Sequence, residues 1–143
     1  VNGHGTHVAG TIAGLRNRFG VVGAAPKAKL YAVQAFDSNG EAFTSDIIQG
    51  IDWCIRNRMQ VINMSFGLTQ FSASLQEMIR KAHRSGIVMV ASCGNSGKSK
   101  GVIDYPARFP ETIAVAASTE NNKIADFSSR GAGISLAAPE AFN

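Results

Sequence analysis

Apolar positions along the chain alternate between two periodicities. Residues 29–36 carry Leu30, Tyr31, Ala32, Val33 and Ala35 in a short run, which predicts a buried strand. Asp37-Ser38-Asn39-Gly40 then supplies loop chemistry. Over 44–58 the apolar residues Ile47, Ile48, Ile51, Cys54 and Ile55 fall at helical spacing, with Thr44 or Ser45 placed to cap the first turn. A second strand is predicted over 61–66. Ser74-Leu75-Gln76-Glu77 has the capping-box pattern and opens a helix through Leu75, Met78, Ile79 and Ala82, which Ser85-Gly86 closes. Residues 87–91 read as a third strand and 112–117 as a fourth.

Strand, helix, strand, helix, strand implies right-handed crossovers and a mostly parallel sheet. Strands that are apolar throughout fit a sheet with helices on both faces, so the predicted class is a three-layer α/β fold. In such folds the ligand crevice lies beyond the carboxyl ends of the strands. Here those ends fall at 36–40, 65–68 and 92–97, and the chemistry is expected there.

Composition narrows this reading without changing it. The 143 residues suit one hydrophobic core, and 45% apolar with 17% charged residues is a globular balance. No uninterrupted apolar run approaches the roughly 20 residues that cross a bilayer, so no membrane partner is expected. The net charge of +4 comes from scattered basic residues, which read as solvated surface rather than a nucleic-acid footprint. Cys54 and Cys93 each sit among apolar neighbours and are expected to be free thiols.

The segment His4-Gly5-Thr6-His7-Val8-Ala9-Gly10 carries the most specific signal. Two histidines three apart could share a metal, yet the glutamate of an H-E-x-x-H pattern is missing. The heptapeptide resembles the histidine signature of the subtilisin-like serine proteases. That resemblance implies that His4 is the general base, taking the proton of a serine hydroxyl and returning it to the leaving amine. His7 is then expected to be a buried structural histidine.

The resemblance extends over nearly all of the chain, taking in Tyr105-Pro106-Ala107, Ala125-Asp126-Phe127-Ser128-Ser129-Arg130-Gly131 and Ala138-Pro139, although Glu140 stands where the family has glycine. Ser92-Cys93-Gly94-Asn95-Ser96-Gly97 resembles the oxyanion-hole segment, with Asn95 donating its side-chain amide to the reacting carbonyl oxygen and Gly94 lining the substrate site. Asn63-Met64-Ser65-Phe66-Gly67 resembles one wall of the primary specificity pocket, a role that falls to Ser65, Phe66 and Gly67. Gly40, Glu41 and Ala42 match the opposing edge, where an extended peptide adds as a strand. The resemblance places Asp104 at the base of the primary pocket, where a carboxylate would favour lysine or arginine in the substrate. No cofactor is needed for the chemistry, but Leu15, Asn17, Phe19 and Val21 match the ligand positions of a structural calcium. The family also implies a secreted monomer made with a propeptide, acting on protein or peptide substrates.

One rival reading falls on the same residues. Gly94-Asn95-Ser96-Gly97-Lys98-Ser99 approaches a phosphate-binding loop, but Ser92 stands where that loop needs its first glycine, and residues 100–106 are poor helix material.

The catalytic aspartate and serine motifs of the family do not occur in these 143 residues. Residues 1–143 are therefore expected to be the central part of an incomplete peptidase domain, inactive when isolated. Two functional classes stay open: a serine endopeptidase working by an acyl-enzyme, and a catalytically dead homologue that binds peptides.

Overall fold

The computed structural model describes residues 3–140. The chain divides into two compact units, Val1–Gly50 and Ile51–Asn143.

The first unit opens with helix α1, His4–Ala13. Its last carbonyls would be orphaned at a helix end. The chain doubles back to satisfy them: Ala24 N–H donates to the Thr11 carbonyl at 3.0 Å and Ala25 N–H to that of Ile12 at 2.7 Å. Gly14 and Gly23 permit the approach, because a Cβ on Gly23 would lie 2.7 Å from the Ile12 carbonyl carbon.

The segment 29–36 departs from its predicted strand. It takes no helix or strand, and Leu30, Tyr31 and Val33 are exposed. A strand exists only where its backbone has a neighbour to pair with. Among the described residues no ladder engages this one, so an apolar run alone was insufficient.

Helix α2, Thr44–Arg56, straddles the boundary between the units and buries Ile47, Ile51 and Cys54 at the expected spacing. Thr44 and Ser45 lie inside the helix rather than capping it; the Asp46 carboxylate accepts the Phe43 N–H at 3.3 Å.

The second unit is built on a four-stranded sheet: β1 Val61–Met64, β2 Val88–Ser92, β3 Thr112–Ser118 and β4 Leu136–Pro139. All pairs are parallel, in the order β1-β2-β3-β4. Register aligns Met64 with Ala91 and Ala91 with Ala114, so alternate residues of three strands form one buried layer. Helix α3, Ala73–Arg84, joins β1 to β2 and contributes buried Leu75, Ile79 and Ala82. Its cap is Ser72, whose Oγ accepts the Leu75 N–H at 3.2 Å, and not the Ser74 of the capping-box pattern. Gly86, at φ 83°, terminates the helix as expected.

The opposite face of this sheet carries Val61, Val88, Ile113 and Leu136, each at least about a third exposed. The architecture is thus an incomplete three-layer α/β fold, with a parallel sheet and helices. No helix among the described residues is long and apolar enough to cross a membrane. Both cysteines are free and buried.

Candidate active site

The sequence points to the strand ends, and in the second unit the structure gathers them. Gly67 follows β1, and the Gly94–Gly97 loop follows β2. The two are tied by Ser92 Oγ, which donates to the Phe66 carbonyl at 3.4 Å. Asn63 Nδ2 donates to Ser65 Oγ at 2.9 Å, orienting that hydroxyl. An isolated antiparallel bridge then fixes Leu68 to Tyr105, through N–H to carbonyl bonds of 2.7 and 2.8 Å. Phe71, Tyr105 and Phe109 pack as an aromatic cluster beside this bridge, with centroids 4.9–6.3 Å apart.

The Asn95 loop is held from behind. Fully buried Ser129 donates its N–H to the Gly94 carbonyl at 2.9 Å, and its Oγ accepts the Ser96 N–H at 2.9 Å. Gly97 N–H donates to the Phe127 carbonyl at 2.8 Å. Ser128 braces β3 by accepting the Ala117 N–H on its Oγ at 3.0 Å. Arg130 locks the supporting segment, donating to the Ser128 carbonyl at 3.1 Å and the Ala125 carbonyl at 3.2 Å. Asn95 itself is exposed, and its side chain has no hydrogen-bond partner among the described residues. Backbone anchored and amide free is the arrangement a fixed donor requires.

Ser128, Ser129 and Arg130 brace this loop and strand β3, and sequence reasoning assigned them no role beyond family likeness. The available signal was two adjacent serines, which are unusual as fully buried residues unless they satisfy backbone groups.

Asp104 joins the same cluster. Its N–H donates to the Cys93 carbonyl at 2.9 Å, and its carboxylate lies against both Gly67 and Gly94. Ser65, Phe66, Gly67, Gly94, Asn95 and Asp104 therefore belong to one unit, and the structure brings Gly67, Gly94 and Asp104 together.

The remaining predicted residues belong to the first unit. His4 is exposed in the first turn of α1, behind Gly3 at φ 79°. His7 is also exposed, which corrects its reading as a buried structural histidine; α1 buries none of its residues. Gly40, Glu41 and Ala42 lie on a tight loop closed by Asp37. Its Oδ1 accepts the N–H groups of Asn39 and Glu41 at 2.9 and 3.0 Å, and its own N–H donates to the Glu41 carbonyl at 2.8 Å.

Leu15, Phe19 and Val21 are exposed around Asn17, whose Oδ1 accepts the Phe19 N–H at 2.8 Å. The Leu15 carbonyl likewise accepts the Asn17 N–H at 2.9 Å. Calcium takes six to eight oxygens, usually with a carboxylate among them. Of the Leu15, Phe19 and Val21 carbonyls and Asn17 Oδ1, two oxygens already accept hydrogen bonds, and Arg16 and Arg18 are interleaved, so a calcium ion there would need further oxygens. Among the described residues no cluster of three or more His, Cys, Asp or Glu could hold a metal.

In parallel α/β sheets ligands bind beyond the carboxyl ends of the strands, which is where these anchored loops lie. Comparison with known proteins makes this specific. The model of the Subtilase family matches residues 1–140, and the chain belongs to that family. It is 51% identical over 138 residues to subtilisin E of Bacillus subtilis, covering 95% of this chain and 36% of that protein. Subtilisin Savinase of Lederbergia lenta is 48% identical over 138 residues, with coverages of 96% and 51%. The minor extracellular protease Epr of Bacillus subtilis is 46% identical, with coverages of 96% and 21%. Among solved structures, a psychrophilic subtilisin-like protease from the Antarctic psychrotroph Pseudoalteromonas sp. AS-11 superposes with a TM-score of 0.87 at 32% identity, covering 95% of this chain and 31% of that one. The chain spans about a fifth to a half of the length of these relatives.

Proposed function

We propose that the protein to which these residues belong is a secreted serine endopeptidase that cleaves peptide bonds through an acyl-enzyme. The observation that carries this reading is the Asn95 loop, pinned by Ser129 and Gly97 while the Asn95 amide is left without a partner. In this reading His4 removes the proton from the attacking serine and delivers it to the leaving amine. Asn95 donates to the carbonyl oxygen as negative charge develops on it, in a tetrahedral intermediate that needs no reorganisation of the loop. The catalytic aspartate and serine come from parts of the protein outside these 143 residues.

Substrate is an extended peptide whose backbone pairs along Ser65, Phe66 and Gly67, with Gly40, Glu41 and Ala42 as a second contact. The 15–21 loop would contribute the Leu15, Phe19 and Val21 carbonyls and Asn17 Oδ1 to a structural calcium, completed by ligands from elsewhere in the protein. That ion would stiffen the loop and take no part in the chemistry. Secretion is supported by the extracellular relative Epr. A monomeric enzyme matured from a propeptide-bearing precursor, with no nucleic-acid or membrane partner, completes the reading.

The test is peptide hydrolysis by the full-length protein and its Asn95→Ala variant. The variant should lose kcat with little change in KM, by about the 10²–10³-fold that subtilisin loses when its oxyanion-hole asparagine is removed. Hydrolysis unaffected by Asn95→Ala would refute the assignment of the donor. Peptide binding without hydrolysis would favour a dead, peptide-binding homologue.

A further inference from the structure

Among the described residues, Asn39 is the one asparagine followed by glycine, and both residues are exposed. The side-chain carbonyl carbon of an asparagine is open to attack by the backbone nitrogen of the next residue. Glycine alone brings no side chain to obstruct that approach. Gly40 sits at φ 78°, in the left-handed region, which it occupies without strain. The Asn39 N–H donates to Asp37 Oδ1, but its side-chain amide has no hydrogen bond among the described residues.

Asn95 supplies the contrast, because it too is exposed, has a free amide and precedes a small residue, Ser96. There the neighbouring nitrogen is held: the Ser96 N–H donates to Oγ of Ser129, which is fully buried. Releasing that nitrogen would strand a buried hydroxyl. The Gly40 N–H instead donates at 3.1 Å to the Asp37 carbonyl of an exposed turn. Water replaces that acceptor whenever the turn opens. The other described asparagines precede Arg, Met, Asn or Lys.

We propose that Asn39 is a site of spontaneous deamidation, and that the modification opens the loop carrying Gly40, Glu41 and Ala42. The Gly40 nitrogen gives its proton to hydroxide and bonds to Asn39 Cγ. The side-chain nitrogen then leaves as ammonia, taking a proton from water. A second water opens the cyclic imide at either of its carbonyls. One opening yields aspartate, and the other yields isoaspartate, whose main chain runs through the former side chain. Both products place a carboxylate between those of Asp37 and Glu41, where like charges repel. Isoaspartate also lengthens the main chain by a methylene. Asp37 Oδ1 accepts the Asn39 and Glu41 N–H groups at 2.9 and 3.0 Å, a closure that the longer chain disrupts. The consequence for substrate rests on the peptidase reading above, in which this loop contacts an extended peptide.

The experiment ages the full-length protein at mildly alkaline pH under phenylboronic acid, a reversible inhibitor that prevents self-digestion and is later dialysed away. Peptide mapping that separates asparagine, aspartate and isoaspartate then reads each site. Asn39 should convert at least about tenfold faster than Asn95, giving both products. Equal conversion of the two overturns the proposal. So does an Asn39 that stays intact while an isolated peptide of residues 36–43 deamidates. The deamidated fraction, separated by ion exchange, should show KM on a long peptide raised about threefold or more at unchanged kcat. Asn39→Gln protein aged alongside should keep its KM. An unchanged KM in the deamidated fraction, or an equal rise in Asn39→Gln, refutes the effect on the loop. The mapping needs no turnover, so a protein that cleaves nothing would refute the peptidase reading and still decide the modification.

Discussion

Ser129 Oγ accepts the backbone N–H of Ser96 at 2.9 Å, while the N–H of Ser129 donates to the Gly94 carbonyl at the same distance. The residues on either side of Asn95 are thus held by one buried serine. Ser129→Ala would leave the Ser96 N–H without its partner, a loss of about 1–3 kcal/mol of stability by denaturant unfolding. In the full-length protein it should lower kcat more than KM, because the loop is still present but its donor is poorly aimed.

Gly94→Ala should be more severe than an ordinary glycine substitution. The new methyl meets Asp104 Cγ at 2.7 Å and Ser129 Oγ at 2.9 Å, on a backbone at φ 107°. A destabilisation above about 1 kcal/mol is expected. Adding Asp104→Ala should recover only the steric part, so a double-mutant cycle should show coupling of about 0.5 kcal/mol or more. Strict additivity would place the two residues out of contact.

Helix α3 offers a local check on the fold. Ser72→Ala should cost about 0.5–2 kcal/mol, since Ser72 caps the helix. Exposed Ser74, already inside the helix, should tolerate alanine within about 0.5 kcal/mol. Leu75→Ala and Ile79→Ala, both fully buried, should each cost about 2–5 kcal/mol. Urea midpoints of the four variants would rank them.

Burial pushes the Cys54 thiol above its ordinary 9.0, with a backbone hydrogen bond opposing in part. The folded state therefore holds this proton more tightly than the unfolded chain does. Below the unfolded value the group gives stability no pH dependence. As pH rises through about 9 the unfolded chain ionises first, and stability falls until the folded value is passed. Cys54→Ala should flatten the slope of stability between about pH 8 and 10, measured by urea midpoints across that window. An unchanged slope would mean that the thiol titrates alike in both states.

Strands β1, β2 and β3 were legible because Val61–Met64, Val88–Ser92 and Thr112–Ser118 are rich in apolar and β-branched residues. Edge strand β4 was not, since Leu136-Ala137-Ala138-Pro139 offers two alanines and a proline, and only its pairing with β3 makes it a strand. The reverse error, at 29–36, has the same root: composition proposes a strand, and a neighbour decides it. The Asn95 loop was recognisable as a motif. Its anchor, Ser129, lies 33 residues beyond Ser96, and a contact of that span leaves no trace in local periodicity. The meeting of Asp104 with both glycines likewise required the fold.

If His4 serves as the base for a serine nucleophile, a serine-directed fluorophosphonate should label the full-length protein and the His4→Ala variant at very different rates. The expected result is one modified serine per molecule, with labelling reduced by several orders of magnitude when His4 is replaced. A folded protein that takes up no label, or a His4→Ala variant that labels as fast as the parent, would contradict it.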